Sequence, residues 1–342
     1  MRANKKTRLR VERITELMKG KSSLVIVMQD NPDPDSIASA AALRKFANSI
    51  AGVVCSITHG GTVGRAENRA LVQYLDVNLR PFGQLDFEKF DLMAMVDTQP
   101  GTGNNCLPEG LIPDIVIDHH PLRRATRHSH FFDIRRRYGA TSTILLEYLL
   151  AANIDLDIPL ATALLYGIRS DTQDLERQSS RADIKAMEVL FPAANKLMLG
   201  EIQRGSVPRD YYQMLDKALK NARVYGNCIV TSLDEVNNPD MIAEVADLLL
   251  RSEDIFWTMC TGCYEDKLLI SIRTCQQGAR ADKLIRRIVA RRGTGGGHES
   301  FAGGQIPLKD ESKLSCPKLE RLVHKKFVKA VGCDIQHWDN LI

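Results

Sequence analysis

What this 342-residue sequence lacks narrows its class before any motif is read. No apolar run is long enough to cross a bilayer. The opening MRANKKTRLRVERITELMKG is basic without an apolar core, so neither a membrane anchor nor a secretory signal is expected. Eight cysteines are scattered without a framework spacing, which suits reduced thiols and a cytoplasmic location. The one close pair, Cys260 and Cys263, has no second pair at zinc-finger spacing, and both read as strand residues. Charge of one sign is not in excess. The 46 basic and 42 acidic residues leave +4, which gives no whole-protein argument for duplex DNA and leaves room for local basic surfaces. The runs Arg135-Arg136-Arg137 and Arg286-Arg287 read as solvated faces. Internal repeats and low-complexity segments are absent, and no G-x-G-x-x-G follows the first predicted strand, which argues against a dinucleotide cofactor.

What is present divides into two parts, as the length predicts. In the first, LVIVM is an apolar run suited to burial on both faces of a parallel sheet. The turn-rich QDNPDPDS and the helical pattern IASAAALRKFANSIAG follow it. VVCSIT, DLMAMVD and DIVIDHH are further strands; AENRALVQYL, TSTILLEYLLAAN and PLATALLYGIRSDT read as helices. Alternating strands and helices predict an open, mostly parallel α/β sheet over residues 1–190. From about Ile184 to Asp216 the pattern is helical and charged, and the connection is placed at 191–216. Residues 217–342 then predict a smaller mixed-sheet α/β domain: the strands NCIVTSL, DIFWTMCTGCY and KLLISIRT, the helices MIAEVADLLLR and ARADKLIRRIVARRG, the loop GTGGGHESFAGG, and a Lys-rich final helix.

Asp33, Asp35, Asp97, Asp118, His119 and His120 all fall at or just after the C-terminal ends of predicted strands, the rim where open α/β sheets bind ligands. One aspartate there is ordinarily a cap or turn residue. Three loops delivering carboxylates and imidazoles to one rim are a different matter, because carboxylates packed together without cations stay partly protonated. Divalent metals resolve that conflict, and mixed oxygen and imidazole donors suit Mn²⁺, with Mg²⁺ or Co²⁺ as alternatives.

The ordered set VMQDNPDPDS, MVD, VIDHHP, GIRSDT and GTGGGH resembles the DHH/DHHA1 phosphoesterases, and the likeness runs from about residue 20 to residue 310. It implies a two-metal site. Asp33 then resembles a ligand of the first ion and Asp35 of the second, with Asp97 as the bridge. His119 and Asp171 resemble further ligands of the second ion. His120 is similar to the histidine that contacts the scissile phosphate, and Asp118 to the residue that fixes a histidine. Gln29 stands where the family has a metal-binding histidine, and its amide oxygen is a weaker donor.

In the last motif the resemblance assigns Gly295, Gly296 and Gly297 to close backbone approach to a phosphate or terminal nucleotide, with His298 as a side-chain donor. Arg273, in ISIRT, matches the family's substrate arginine. Arg65 and Asn68, in HGGTVGRAENRA, follow the second strand and could meet substrate phosphate or base; the same stretch also reads as a loop capping the next helix. The function implied is hydrolysis of short single-stranded nucleic acid or of nucleotides such as pAp and linear dinucleotides, as in the oligoribonuclease/pAp-phosphatase and RecJ-like group. A pyrophosphatase or exopolyphosphatase is the second enzymatic reading, and a nucleotide-binding protein weakened at Gln29 is the non-enzymatic one. A homodimer stays open as its assembly, with no membrane partner.

Overall fold

A computed structural model describes residues 5–176, 179–308 and 316–342. The chain forms two units, Met1–Ser206 and Val207–Ile342.

The first unit runs α1 (Lys5–Met18), β1 (Ser23–Val27), α2 (Pro34–Ala51), β2 (Val54–His59), α3 (Ala66–Tyr74), β3 (Leu79–Pro81), β4 (Leu92–Val96), β5 (Ile115–Asp118), β6 (Phe131–Ile134), α4 (Thr141–Ala151), α5 (Ile158–Thr172), α6 (Arg181–Ala193) and α7 (Lys196–Gln203). Its six strands are all parallel in the order β3-β2-β1-β4-β5-β6. Leu24 to Met28 are fully buried, because the sheet is covered on both faces. Strand order reverses between β1 and β4, so the loops leaving those two strands diverge and open a crevice at their C-terminal ends. The loop after β1 carries Gln29 to Asp33, Asp35 lies in the first turn of α2, and Asp97 directly follows β4.

One expectation fails in this unit. Arg135 is not on a solvated face; it is 8% exposed. Its guanidinium donates to Asp133 at 2.8–3.1 Å, to Glu147 Oε2 at 2.6 Å and to Thr7 Oγ1 at 3.2 Å, tying β6, α4 and α1 together. A basic triplet on a helix surface would solvate, whereas this one leaves a strand whose Asp133 is already buried.

The second unit runs α8 (Arg209–Asn221), β7 (Arg223–Tyr225), β8 (Cys228–Glu235), α9 (Asp240–Leu249), β9 (Trp257–Tyr264), β10 (Lys267–Thr274), α10 (Ala281–Val289), β11 (Thr294–Gly297), β12 (Phe301–Pro307), α11 (Cys316–Ala330) and β13 (Asp339–Asn340). The sheet is mixed, in the order β11-β12-β10-β9-β8-β7-β13, with β8 and β9 parallel and the other neighbours antiparallel. The glycine-rich segment is therefore not a loop. Gly295 and Gly296 lie in β11, paired with Gly304 and Gly303 of β12, and Ile285 of α10 packs directly over Gly295 and Gly304. Glycine on both strands lets the helix approach this edge of the sheet closely. The expectation of reduced thiols fails at one pair: Cys263 of β9 and Cys316 of α11 form a disulfide in this unit.

Candidate metal centre

The chemistry of the first unit gathers at the β1/β4 crevice. Asp33 caps α2, accepting from Ser36 N at 2.9 Å. Asp35, in the first turn of α2 and 1% exposed, turns both oxygens to the start of α4: Thr141 N at 2.7 Å and Ser142 N at 2.8 Å. Those amides and the helix's positive end favour a carboxylate there. Asp97 sits in a left-handed backbone conformation (φ 57°) straight after β4 and accepts from Thr141 Oγ1 at 3.0 Å. A left-handed non-glycine residue costs free energy and persists where its surroundings hold it, a pattern concentrated at functional sites.

His119 contacts the Tyr138 carbonyl through Nδ1 at 3.2 Å. A proton on Nδ1 satisfies that carbonyl and leaves Nε2 with a lone pair. Nε2 is buried and completes no hydrogen bond, facing Asp171 Oδ2 at 3.0 Å and Asp97 Oδ1 at 3.5 Å. The donor atoms of Asp35, His119 and Asp171 lie within 4.8 Å of one another, as do those of Asp97, Asp118, His119 and His120. His119 belongs to both groups. Among the described residues Asp33 joins neither group, and Gln29, on the same loop, is linked at 3.5 Å to the amide of Asn104.

The unneutralised cluster resists ionisation. Burial, then the Asp171 charge, raises the Asp35 carboxyl to about 7 and pushes Asp33 up too. Burial and the charges of Asp35 and Asp33 hold Asp97 well above the usual carboxylate range. For His119, burial pulls downward, but the close approach of Asp171 and its charge win and raise the imidazole to about 10. A buried imidazole nitrogen with no completed hydrogen bond, ringed by carboxylates that cannot all ionise, fits a divalent cation.

Behind the cluster, Asp118 accepts from His120 Nδ1 at 2.9 Å and from Gln99 Nε2 at 2.6 Å. Gln99 is fully buried, and its oxygen accepts from Arg123 N at 2.8 Å and Thr126 Oγ1 at 2.9 Å. Burial opposes the Asp118 charge, yet the His120 hydrogen bond and charge bring its carboxyl below the ordinary value. Sequence reasoning missed Gln99, Thr141, Tyr138 and Gly167. Only Gly167 had a visible signal, as the first residue of GIRSDT. A Cβ there would stand 2.7 Å from Ser142 Oγ and 3.1 Å from Asp35 Cα, so glycine lets α5 bring Asp171 to the rim.

Arg65 and Asn68 part company. Asn68 is 3% exposed and donates to the Pro32 carbonyl at 3.0 Å, fastening the β1 loop. Arg65 is half-buried and pairs with Glu67 at 3.6 Å. In the second unit, Phe301 stands between the other two assigned side chains: the His298 ring lies 4.7 Å from its ring and the Arg273 guanidinium 5.7 Å from it. Arg273 is held by Asp247 and by Ser271 Oγ at 2.7 Å. His298 begins the turn between β11 and β12, with its N–H on the Phe301 carbonyl at 2.8 Å.

Fold and motifs together define a class. The DHH family, N-terminal domain, matches residues 23–168, the DHHA1 domain matches residues 226–325, and the chain belongs to this family. An uncharacterized protein of Methanocaldococcus jannaschii is 34% identical over 334 residues, covering 96% of this chain and 68% of the relative. Among solved structures, an exopolyphosphatase-related protein from Bacteroides fragilis is similar with a TM-score of 0.70 at 14% identity, over 94% of this chain and 96% of that one. RecJ from Thermus thermophilus in complex with Mn²⁺ is similar with a TM-score of 0.54 at 17% identity, over 95% of this chain and 55% of that one. No helix among the described residues is long and apolar enough to cross a membrane.

Proposed function

We propose that this chain is a divalent-metal-dependent phosphoesterase acting on short single-stranded oligonucleotides or on small nucleotides such as pAp and linear dinucleotides. The observation that carries this reading is His119 Nε2, shared by two buried donor groups whose carboxylates cannot all ionise without cations. Asp35, His119 and Asp171 are assigned to one ion, Asp33 and Gln29 to the other, and Asp97 to both. Mn²⁺ is the favoured metal, with Mg²⁺ or Co²⁺ as alternatives. Cations there lower the pKa of water and draw charge from phosphoryl oxygens.

The protein's own side chains supply position. His120 is fixed through Nδ1 by Asp118, which leaves Nε2 to donate to a phosphoryl oxygen as charge develops on it. His298, Arg273 and the edge formed by Gly295, Gly296 and Gly297 are assigned to a terminal phosphate or nucleotide, and Arg65 to a second phosphate contact. Asn68 acts through the loop it fastens.

The test is hydrolysis with Mn²⁺ across pAp, short RNA, linear and cyclic dinucleotides, and polyphosphate. Turnover of the nucleotides is expected. Turnover of polyphosphate alone would replace this reading with the exopolyphosphatase one. Nucleotide binding without turnover in Mn²⁺, Mg²⁺ and Co²⁺ would make the chain a nucleotide-binding protein, a reading that the neutral amide of Gln29 favours.

A further inference from the structure

The small net charge of the whole chain, +4, conceals a separation of charge within the second unit. α8 and α9 pack over one face of its sheet, and α10 and α11 over the other. α9 carries Asp240, Glu244 and Asp247 and no basic residue. On the opposite face α10 carries three lysines and arginines and α11 carries five. The only carboxylates on those two helices, Asp282 and Glu320, are buried. A face of one sign attracts partners of the other.

Between α10 and the end of α11 this face is hollowed. A cavity of about 290 Å³ is lined by Trp257, Leu284 and Val331 and by three cations, Arg280, Lys283 and Arg287. The cations stand at i, i+3 and i+7 along one flank of α10, spread over about 10 Å at 1.5 Å per residue. Like charges at this spacing repel. Among the described residues neither Lys283 nor Arg287 makes an ion pair that would relieve them. Arg280 is braced: its Nε and Nη2 donate to the two Asp282 oxygens at 2.8 and 2.7 Å, which leaves Nη1 outside the pair. The indole is fixed as well, with Trp257 Nε1 donating to Gln276 Oε1 at 2.6 Å. Cations beside an aromatic and aliphatic surface are the combination that holds a single nucleic-acid strand, through its phosphates and its flat bases.

We propose that Arg280, Lys283 and Arg287, with Trp257 beside them, bind the phosphodiester backbone of single-stranded nucleic acid. The spread of the cations favours a polyanion over a single phosphate, and exposed Lys325 and Lys329 of α11 extend the basic surface. The cavity also adjoins the β11–β12 turn: Ala281 N and Asp282 N donate to the Glu299 and His298 carbonyls at 2.9 and 3.0 Å. A strand gripped at His298 and running along α10 meets Arg280, Lys283 and Arg287 in turn. As a track for substrate the site rests on the phosphoesterase reading and narrows it to oligonucleotides longer than a dinucleotide; as a binding site it stands apart from that reading.

The experiment uses the full chain in chelator, so that nothing is hydrolysed, and a labelled oligoadenylate RNA of about 12 nucleotides, within the span of one single-strand site. Lys283 and Arg287 are exposed, so K283A/R287A leaves the core untouched. This variant should raise Kd roughly tenfold or more at low salt and lower the slope of log Kd against log salt by about 1.4, for two phosphate contacts at about 0.7 each. K217A/K220A, which removes as much charge from α8 on the opposite face, should change neither. Unchanged RNA binding in K283A/R287A overturns the site, and loss of binding to phosphatidylglycerol vesicles in that variant would then assign the face to a membrane surface. An equal loss of affinity for AMP and for the RNA also overturns it, because the cavity would be a mononucleotide pocket. With Mn²⁺ added, KM for the RNA should rise relative to KM for a dinucleotide by a factor similar to that in Kd; equal rises would overturn the track. Turnover of neither substrate by the wild-type chain would refute the phosphoesterase reading and leave the binding measurement to decide the site.

Discussion

Asp97 combines a left-handed backbone, burial and proximity to both imidazoles of the DHH triplet, with His119 Nε2 at 3.5 Å and His120 Nδ1 at 3.8 Å from its Oδ1. Asparagine tolerates the same backbone region, so Asp97→Asn removes the charge and leaves the turn intact. Hydrolysis should fall to near background while the circular dichroism spectrum is unchanged. Activity within a few-fold of wild type, with unaltered metal stoichiometry, would defeat the two-metal assignment. Gln29 gives the complementary case. Its amide reaches Asn104 at 3.5 Å and offers a cation only a neutral oxygen. Gln29→His should tighten the weaker metal-binding event and raise activity at low Mn²⁺. Calorimetric titrations of the two forms giving equal affinities would place residue 29 outside the coordination sphere.

The element scale shows what sequence can carry. β1, β4 and β5 were legible because strands covered on both faces are nearly continuous apolar runs, and β4 and β5 run directly into Asp97 and the DHH triplet. β3, of three residues, and β6, with alternating burial, lack such a run. α1 is mostly charged and keeps only a narrow stripe, Thr7, Val11, Ile14 and Met18, for the core. The glycines of β11 and β12 lower strand propensity there, and α10 packs over the paired edge they form. Gln99 and Arg135 were hidden for another reason: a buried polar residue is recognisable only from partners that are distant in sequence. Arg135→Ala would leave Glu147 without its arginine and Asp133 with Arg10 as its remaining cation, at 3.3 Å. A loss of about 3–5 kcal/mol is expected in urea unfolding of the metal-free protein, and a loss under 1 kcal/mol would show that water replaces the guanidinium. On the β11–β12 turn, His298→Ala removes one donor to a charged phosphate, worth about 1.5–3 kcal/mol. KM for a nucleotide with an extra terminal phosphate should rise roughly ten- to hundredfold, with bound Mn²⁺ unchanged. Loss of Mn²⁺ with KM intact would make His298 a metal ligand.

At the scale of the whole molecule, the carboxylate centre couples folding, protons and metal. Burial and Asp171 raise the folded Asp35 carboxyl to about 7, and Asp33 and Asp97 shift the same way. An unfolded carboxyl titrates near 3.9, so above that pH the folded chain holds the extra protons. The stability this contributes is fully present below about pH 4 and is lost as pH rises through 7. His119, raised to about 10 by Asp171 against the opposing effect of burial, contributes stability present below about pH 6.5 and lost as pH rises through 10. A cation reverses the balance, because it requires ionised carboxylates and a neutral imidazole and so displaces these protons. Melting curves of the metal-free and Mn²⁺-loaded chain should therefore diverge with pH. Between pH 5.5 and 8 the metal-free Tm should fall through this cluster's contribution, while the increment produced by saturating Mn²⁺ should grow. In Asp97→Asn, where one of the interacting charges is gone, both trends should flatten. An Mn²⁺ increment as large at pH 5.5 as at pH 8 would mean that the ion binds without displacing protons from these residues, and the carboxylates of the β1/β4 crevice would not be its ligands.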